Sequence, residues 1–392
     1  MNRYIYLDHA ATTYVKKEVL AEMYPYLKEF FGNASSVYNL GNESKTAIEN
    51  ARAKIASSLN CQAEEIFFTS GGTESDNWAI KGVALANHSR GNHIITSAIE
   101  HPAVIHSCKF LEQNGFEVTY LPVNEYGMIS IAQLKASIKK NTILISVMYA
   151  NNEVGTIQPI QEIGQIAEEK NVYFHTDAVQ AIGHIPIDIK DLNIDLLSLS
   201  AHKIYGPKGI GALFIKNRTN IDKIMHGGSQ EKDKRAGTEN VAGIVGFGKA
   251  IEITSKDMDK NNKVIKALRD RFVNLVSQKI PDVRINGHPT KRLPGNANIS
   301  FELVNAKNLL SFLDERGIYV SSGSACSCAS LRPSHVLLAM NLPQEVALSS
   351  LRFTFGNENT ENDIDFVVDI LSQAVEHYGA PHCQDKFLAD LS

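Results

Sequence analysis

Across the first two thirds of the chain, short β-branched or apolar runs alternate with helix-patterned stretches, and that pattern leaves few folds open: a sheet covered by helices. The expected strands are Ile66–Thr69, His93–Ser97, Glu117–Pro122, Thr142–Tyr149, Val172–Thr176, Ile194–Ser198 and Gly211–Ile215. Their near-continuous apolarity suits a parallel or mixed sheet buried on both faces. Between them Ile157, Ile160, Ile163, Ile166 and Ala167 recur at three- and four-residue spacing behind Pro159, which predicts a helix over 158–170. The pattern changes near residue 255. One long charged amphipathic helix is expected over 255–280. Short strands follow near Asn298–Phe301, Ile318–Val320 and Leu351–Thr354, with a last helix over Asp363–Tyr378. At 392 residues the chain exceeds what one core organises, so two units are expected. These are a large α/β domain over 15–255 and a smaller α+β domain formed by 1–14 and 256–392.

Composition narrows the function classes. With 43% hydrophobic and 21% charged residues the chain can bury a sizeable core. A net charge of −4 lacks the basic footprint of a nucleic-acid or anionic-membrane binder, which leaves small polar metabolites as ligands. No uncharged apolar run reaches the roughly 18 residues of a spanning helix. The opening MNRYIYLDHAATT does not read as a signal peptide. Five cysteines, Cys61, Cys108, Cys326, Cys328 and Cys383, are too few and too scattered for a disulfide framework. The expected compartment is the cytoplasm.

Three stretches carry chemistry. In FTSGGTESDN a strand ends at Thr69, two glycines, the second Gly72, turn the chain, and Thr73 and Glu74 open an amphipathic run. Backbone N–H groups and a hydroxyl there suit a phosphate, although Thr73 could equally be a plain N-cap. In YFHTDAVQAIG, Asp177 stands just past a strand end, where open α/β sheets place ligand groups, with Gln180 three residues on. It could be a metal ligand, a base, a partner for a protonated ring nitrogen, or a helix N-cap. In DLLSLSAHKIYGPKG an apolar strand runs into Ser200, His202 and Lys203 ahead of a glycine-containing turn. A lysine whose stem starts inside the fold is a candidate Schiff-base amine, and with an anion cradle and an acid it matches the needs of a pyridoxal phosphate enzyme.

Together with YLDHAATT, EHPAV, NNEVGTIQPI, RAGTEN, SSGSAC and LRFTFG, these stretches resemble, in order and over nearly the whole chain, the cysteine desulfurases of the NifS/IscS type. That family lies in the class V aminotransferase superfamily of fold type I pyridoxal phosphate transferases. The resemblance implies a mostly parallel seven-stranded sheet and a homodimer that removes sulfur from L-cysteine. It implies that Lys203 holds the cofactor and moves the Cα proton, that Asp177 pairs with the ring nitrogen, and that Gln180 meets the phenolic oxygen. His101 stacks on the ring and is a candidate acid or base. Gly72, Thr73, Ser200 and His202 hold the phosphate, with Thr238 supplied by the second subunit. Asn152 and Arg352 orient the substrate, Arg352 through its carboxylate.

SSGSACSCASLRPSHV is small and polar, as expected of a mobile loop (about 321–333), and carries Cys326. The family implies that this thiolate takes the substrate sulfur as a persulfide, releases alanine, and passes sulfur to acceptors such as an iron–sulfur scaffold. Metal binding by Cys326 is then transient, through a cluster in transfer. The chain departs from the usual family pattern in having Cys328, and Arg332 where an acid is common. Cys328 has three readings: release of sulfide by disulfide formation, help in binding a metal or cluster, or no role. Competing functions are a selenocysteine lyase, which does not need Cys326, a class V transaminase, and a non-catalytic sulfur relay, which has no need of Lys203 and Asp177.

Overall fold

The computed structural model describes residues 4–302, 304–322 and 333–379. The apolar runs form one seven-stranded sheet in the order Ile66–Thr69, Gly211–Ile215, Leu196–Ser200, Tyr173–Asp177, Thr142–Ser146, His93–Ser97, Glu117–Leu121. Only Gly211–Ile215 runs against its neighbours. The short 201–210 connection before it is a tight return, and a parallel crossover needs a dozen residues or more. The strand Ile66–Thr69 lies at a sheet edge yet is buried throughout. Its backbone is closed by side chains: Arg52 donates to the Ile66 carbonyl at 2.7 Å and Phe68 N–H donates to Glu231 at 2.8 Å. The opposite edge, Glu117–Leu121, stays largely half-exposed.

Two strands reach further than their apolar pattern suggests. Tyr173–Asp177 ends on the acid itself and Leu196–Ser200 ends on the serine, so both polar groups are held by the ladder. Thr142–Ser146 stops earlier than expected. Beyond it Val147 and Tyr149 still donate N–H bonds to the carbonyls of His175 and Asp177 as the chain curves away.

The larger difference concerns the long helix. It spans Val241–Lys279, 39 residues, and starts well before the expected 255. The glycines of VAGIVGFGKAI hide the helical period, and their purpose is close approach. A Cβ on Gly248 would lie 2.7 Å from the Ala51 Cβ, and one on Gly246 would lie 2.6 Å from the Met23 sulfur. The helix therefore packs tightly on Asn39–Leu59 and Lys17–Lys28. Its first half puts Ile244, Phe247 and Ile251 into the core beneath the large sheet. Its second half puts Ile265, Leu268, Phe272 and Val276 into a separate core. That second core lies under a three-stranded antiparallel sheet ordered Ser350–Thr354, Asn296–Phe301, Val283–Asn286. The N-terminal strand Ile5–Tyr6 pairs in parallel with Ile318–Tyr319, and Asp8 bridges to Thr354. The last helix, Glu361–Tyr378, opens with a reciprocal cap between Thr360 and Asp363. Among the described residues no helix is long and apolar enough to cross a membrane.

Candidate active site

The C-terminal ends of the parallel strands converge on a cavity of about 310 Å³, the place where open α/β sheets bind ligands. Asp177 closes its strand there, and Ser200 leads into the short turn Ala201–Lys203. His101 caps the helix Pro102–Glu112. Of the residues singled out from the sequence, Gly72, Thr73, His101, Asn152, Asp177, Gln180, Ser200, His202, Lys203 and Arg352 all line this cavity.

The glycine turn after Thr69 forms one wall. Gly71 has φ +152, a conformation side chains rarely adopt, and a Cβ on Gly72 would stand 2.6 Å from a Val179 methyl. Gly72, Thr73, Ser200 and His202 also line an adjoining cavity of about 370 Å³, together with Thr12 and Lys208. Backbone, hydroxyl, imidazole and ammonium groups surround this space, a donor set that suits a phosphate group. His202 is neutral: burial, with Lys203 and Lys208 nearby, lowers its pKa to about 4, and its Nδ1 lies 3.0 Å from the Thr12 hydroxyl.

Two acids, Asp177 and Asp76, line the floor, and Glu100 is buried close behind them. Asp177 accepts the Val179 N–H at 2.9 Å, and burial raises its pKa against the pull of His101 and Lys203. Asp76 is fully buried and its Oδ1 has no hydrogen-bond partner. Burial and the charge of Asp177 push its pKa well up. Glu100 is raised to about 8, chiefly by burial, although Ser97 and the Met148 N–H bond to it. Lys203 donates to the carbonyls of Ala10 and, at 2.7 Å, Ala11. His101 Nδ1 accepts the Ala103 N–H at 3.2 Å, which leaves the hydrogen of the neutral ring on Nε2. Burial lowers the His101 pKa, so the neutral ring is favoured.

Arg352 is buried, with Nη2 2.7 Å from Asp8 Oδ1 and Nη1 3.1 Å from the Asn152 carbonyl. Its Nε is buried without a partner. Asn152 thus holds the guanidinium through its backbone. Gln180 donates its side-chain amide to the Ala10 carbonyl at 3.0 Å. Thr238 is exposed and is not among the residues lining either cavity. Cys326, Cys328, Cys383 and Arg332 lie outside the described residues, as does most of the 321–333 loop. Cys61 and Cys108 are thiols whose pKa burial pushes to about 12. No group of three or more metal-ligating side chains occurs among the described residues.

Sequence reasoning missed Asp8, Asp76, Glu153 and His335. Glu153 accepts from Ser334 at 2.5 Å and His335 Nε2 lies 3.0 Å from the Glu100 carbonyl, which ties the segment just after 332 to the cavity wall. Asp8, Asp76 and Glu153 stand inside YLDHAATT, SGGTESDN and NNEVGTIQPI, so the motifs that pointed to the site already contained them.

A family model for class V aminotransferases matches residues 5–367. The chain is 55% identical over 378 residues to a cysteine desulfurase IscS of Clostridium botulinum, covering 96% of this chain and 95% of that protein. It is 56% identical over 375 residues to a cysteine desulfurase IscS of Methanosarcina thermophila, covering 96% and 93%. Among solved structures, a NifS-like protein superposes with a TM-score of 0.91 at 37% identity, covering 96% of this chain and 100% of that one. SspA in complex with cysteine superposes with a TM-score of 0.80 at 38% identity, covering 91% and 100%. The chain belongs to the class V aminotransferase family and, within it, to the cysteine desulfurases, which are pyridoxal phosphate enzymes.

Proposed function

We propose that this enzyme takes sulfur from L-cysteine, releases L-alanine, and holds the sulfur as a persulfide on Cys326 for transfer to protein acceptors such as an iron–sulfur scaffold. The observation that carries this reading is the meeting of Lys203, Asp177 and Arg352 in one cavity. Gly72, Thr73, Ser200 and His202 would hold the phosphate of pyridoxal phosphate, and Asp177 its ring nitrogen. Thr238 would come from a second copy of the chain, since it lines neither cavity of its own subunit. The division at residue 255, a homodimer and a cytoplasmic location complete the reading.

Bound pyridoxal phosphate supplies the electron sink that stabilises negative charge at the substrate Cα. Arg352, steadied by Asp8 and the Asn152 carbonyl, presents its guanidinium to the cysteine carboxylate. Lys203 Nζ takes the Cα proton and later returns one to the product. Asp177 keeps its negative charge toward the ring nitrogen. His101, neutral with its hydrogen on Nε2, is set up to donate a hydrogen bond from that nitrogen to groups bound in the cavity. The Cys326 thiolate attacks the substrate sulfur and the Cβ–S bond breaks. Its electron pair goes to the carbon product, which gains protons to become alanine. The test is alanine production by the holoenzyme from L-cysteine. Cys326→Ala should abolish sustained alanine formation while keeping the bound cofactor's visible band, and a variant that still makes alanine at the native rate removes the persulfide route.

A further inference from the structure

The phosphate cradle has a carboxylate in its wall. Glu74, in the first turn of Gly72–Asn77, lines the same cavity as Gly72, Thr73, Ser200, His202 and Lys208. Burial alone would raise its pKa, but Arg235 and the Ser70 hydroxyl and N–H outweigh that and hold it below the usual carboxylate range. A fixed negative charge at that place opposes the entry of a phosphate dianion.

Arg235 meets this charge with a two-pronged pair, Nε to Oε1 at 2.8 Å and Nη2 to Oε2 at 3.1 Å, and is itself not among the residues lining the cavity. The chain is strained to bring it there. Glu231, Lys232 and Asp233 take φ values of 45, 58 and 61 in succession, a left-handed stretch that non-glycine residues rarely adopt. The stretch is pinned from inside by Glu231, which forms a buried bidentate pair with Arg52, both bonds 2.8 Å. From outside, the Gly237 N–H donates to the Gln230 side chain at 3.0 Å. A strained segment fixed by a buried ion pair thus delivers one arginine onto one glutamate.

We propose that Arg235 is a positioning residue that cancels the charge of Glu74 and thereby sets the preference of the cradle for a phosphorylated cofactor. This rests on the cavity being the pyridoxal phosphate site. The pair discriminates at the phosphate and is indifferent to the ring.

Equilibrium binding of pyridoxal phosphate and of pyridoxal, which lacks the phosphate, to the full chain stripped of cofactor tests this through the visible absorbance of the bound ligand. Arg235→Gln should weaken pyridoxal phosphate roughly tenfold or more by exposing the charge of Glu74. Pyridoxal should change by less than about twofold, and the double variant Glu74→Gln/Arg235→Gln should regain native affinity for pyridoxal phosphate to within about threefold. Equal weakening of both ligands, or no recovery in the double variant, overturns the proposal and leaves Arg235 a loop anchor. Where Arg235→Gln does not fold, Glu74→Gln decides: it should bind pyridoxal phosphate at least as tightly as the native chain, and clear weakening overturns the proposal. A native chain that binds neither ligand removes the cofactor reading itself and this inference with it, a failure distinct from the others.

Discussion

Glu74 and Asp76 stand two residues apart on one short helix, and their carboxyl pKa values are pushed in opposite directions. The first looks onto the cradle rim, where Arg235 pairs with it and lowers its pKa. The second faces the cavity floor, buried beside another acid with no hydrogen bond to Oδ1, which lies 3.7 Å from His175 Nε2, and its pKa rises. The contrast extends to their neighbours. Elsewhere acids come with arginines: Glu74 with Arg235 beside the cradle, Asp8 with Arg352 behind the cavity wall, and Glu231 with Arg52 buried at the sheet edge. On the floor Asp76 and Asp177 lie together with Glu100 buried behind them, and burial is the first cause of each upward shift. The paired acids have their charge balanced in place, and of their arginines Arg352 lines the cavity. The floor can carry only part of its formal charge at once, and that part is drawn to wherever a ligand offers a cation or a proton.

The contrast breaks most severely if the floor loses its functional charge. Asp177→Asn keeps the shape and removes the anion, and L-cysteine turnover measured as alanine should fall by roughly 10²–10³-fold. A variant within a few-fold of native would mean that another acid carries the role. At the paired acids the expected loss is in stability. Arg52→Ala strands the buried Glu231, and chemical denaturation should show a loss of about 3–5 kcal/mol. The smallest effect concerns pH. The folded-state pKa of Glu100, about 8, lies above the ordinary value of 4.5, so the folded state holds a proton that the unfolded chain releases. Stability from this group is fully present below about 4.5 and is lost as the pH rises through about 8. Glu100→Gln should therefore flatten the decline in melting temperature between pH 5 and pH 8.5, and an unaltered slope would place the proton elsewhere.

Much of the scaffold was legible because a sheet buried on both faces must be apolar along its strands, and a polar residue at the end of such a strand stands out. Asp177, Ser200 and Lys203 are visible for that reason. The first half of the helix Val241–Lys279 was not, since glycines chosen for contact with Ala51 and Met23 erase the period that identifies a helix. The partnerships of acid with arginine were hidden by distance along the chain: Arg235 lies 161 residues from Glu74, and Arg352 lies 344 from Asp8. No local pattern encodes such pairs. Arg352 itself was legible only through family resemblance, because an arginine in an apolar strand looks the same whether it binds a ligand or an internal acid.

The helix Val241–Lys279 is a gauge as well as a bridge. Its two halves are seated in different cores, and Arg352 stands on a strand over one core while Asp177 and Lys203 stand at strand ends over the other. Each residue of an α-helix turns the chain by about 100° and advances it by about 1.5 Å. One residue added or removed near its middle, around Lys256, would therefore swing Ile265, Leu268 and Phe272 away from their seats or rotate the whole second core about the helix axis. Arg352 would then sweep past the cavity rather than face it. Surface loops elsewhere can lengthen or shorten with little consequence, whereas the residue count of this single element is a fixed dimension of the machine, and natural variation within it should take the form of substitution and not of insertion or deletion.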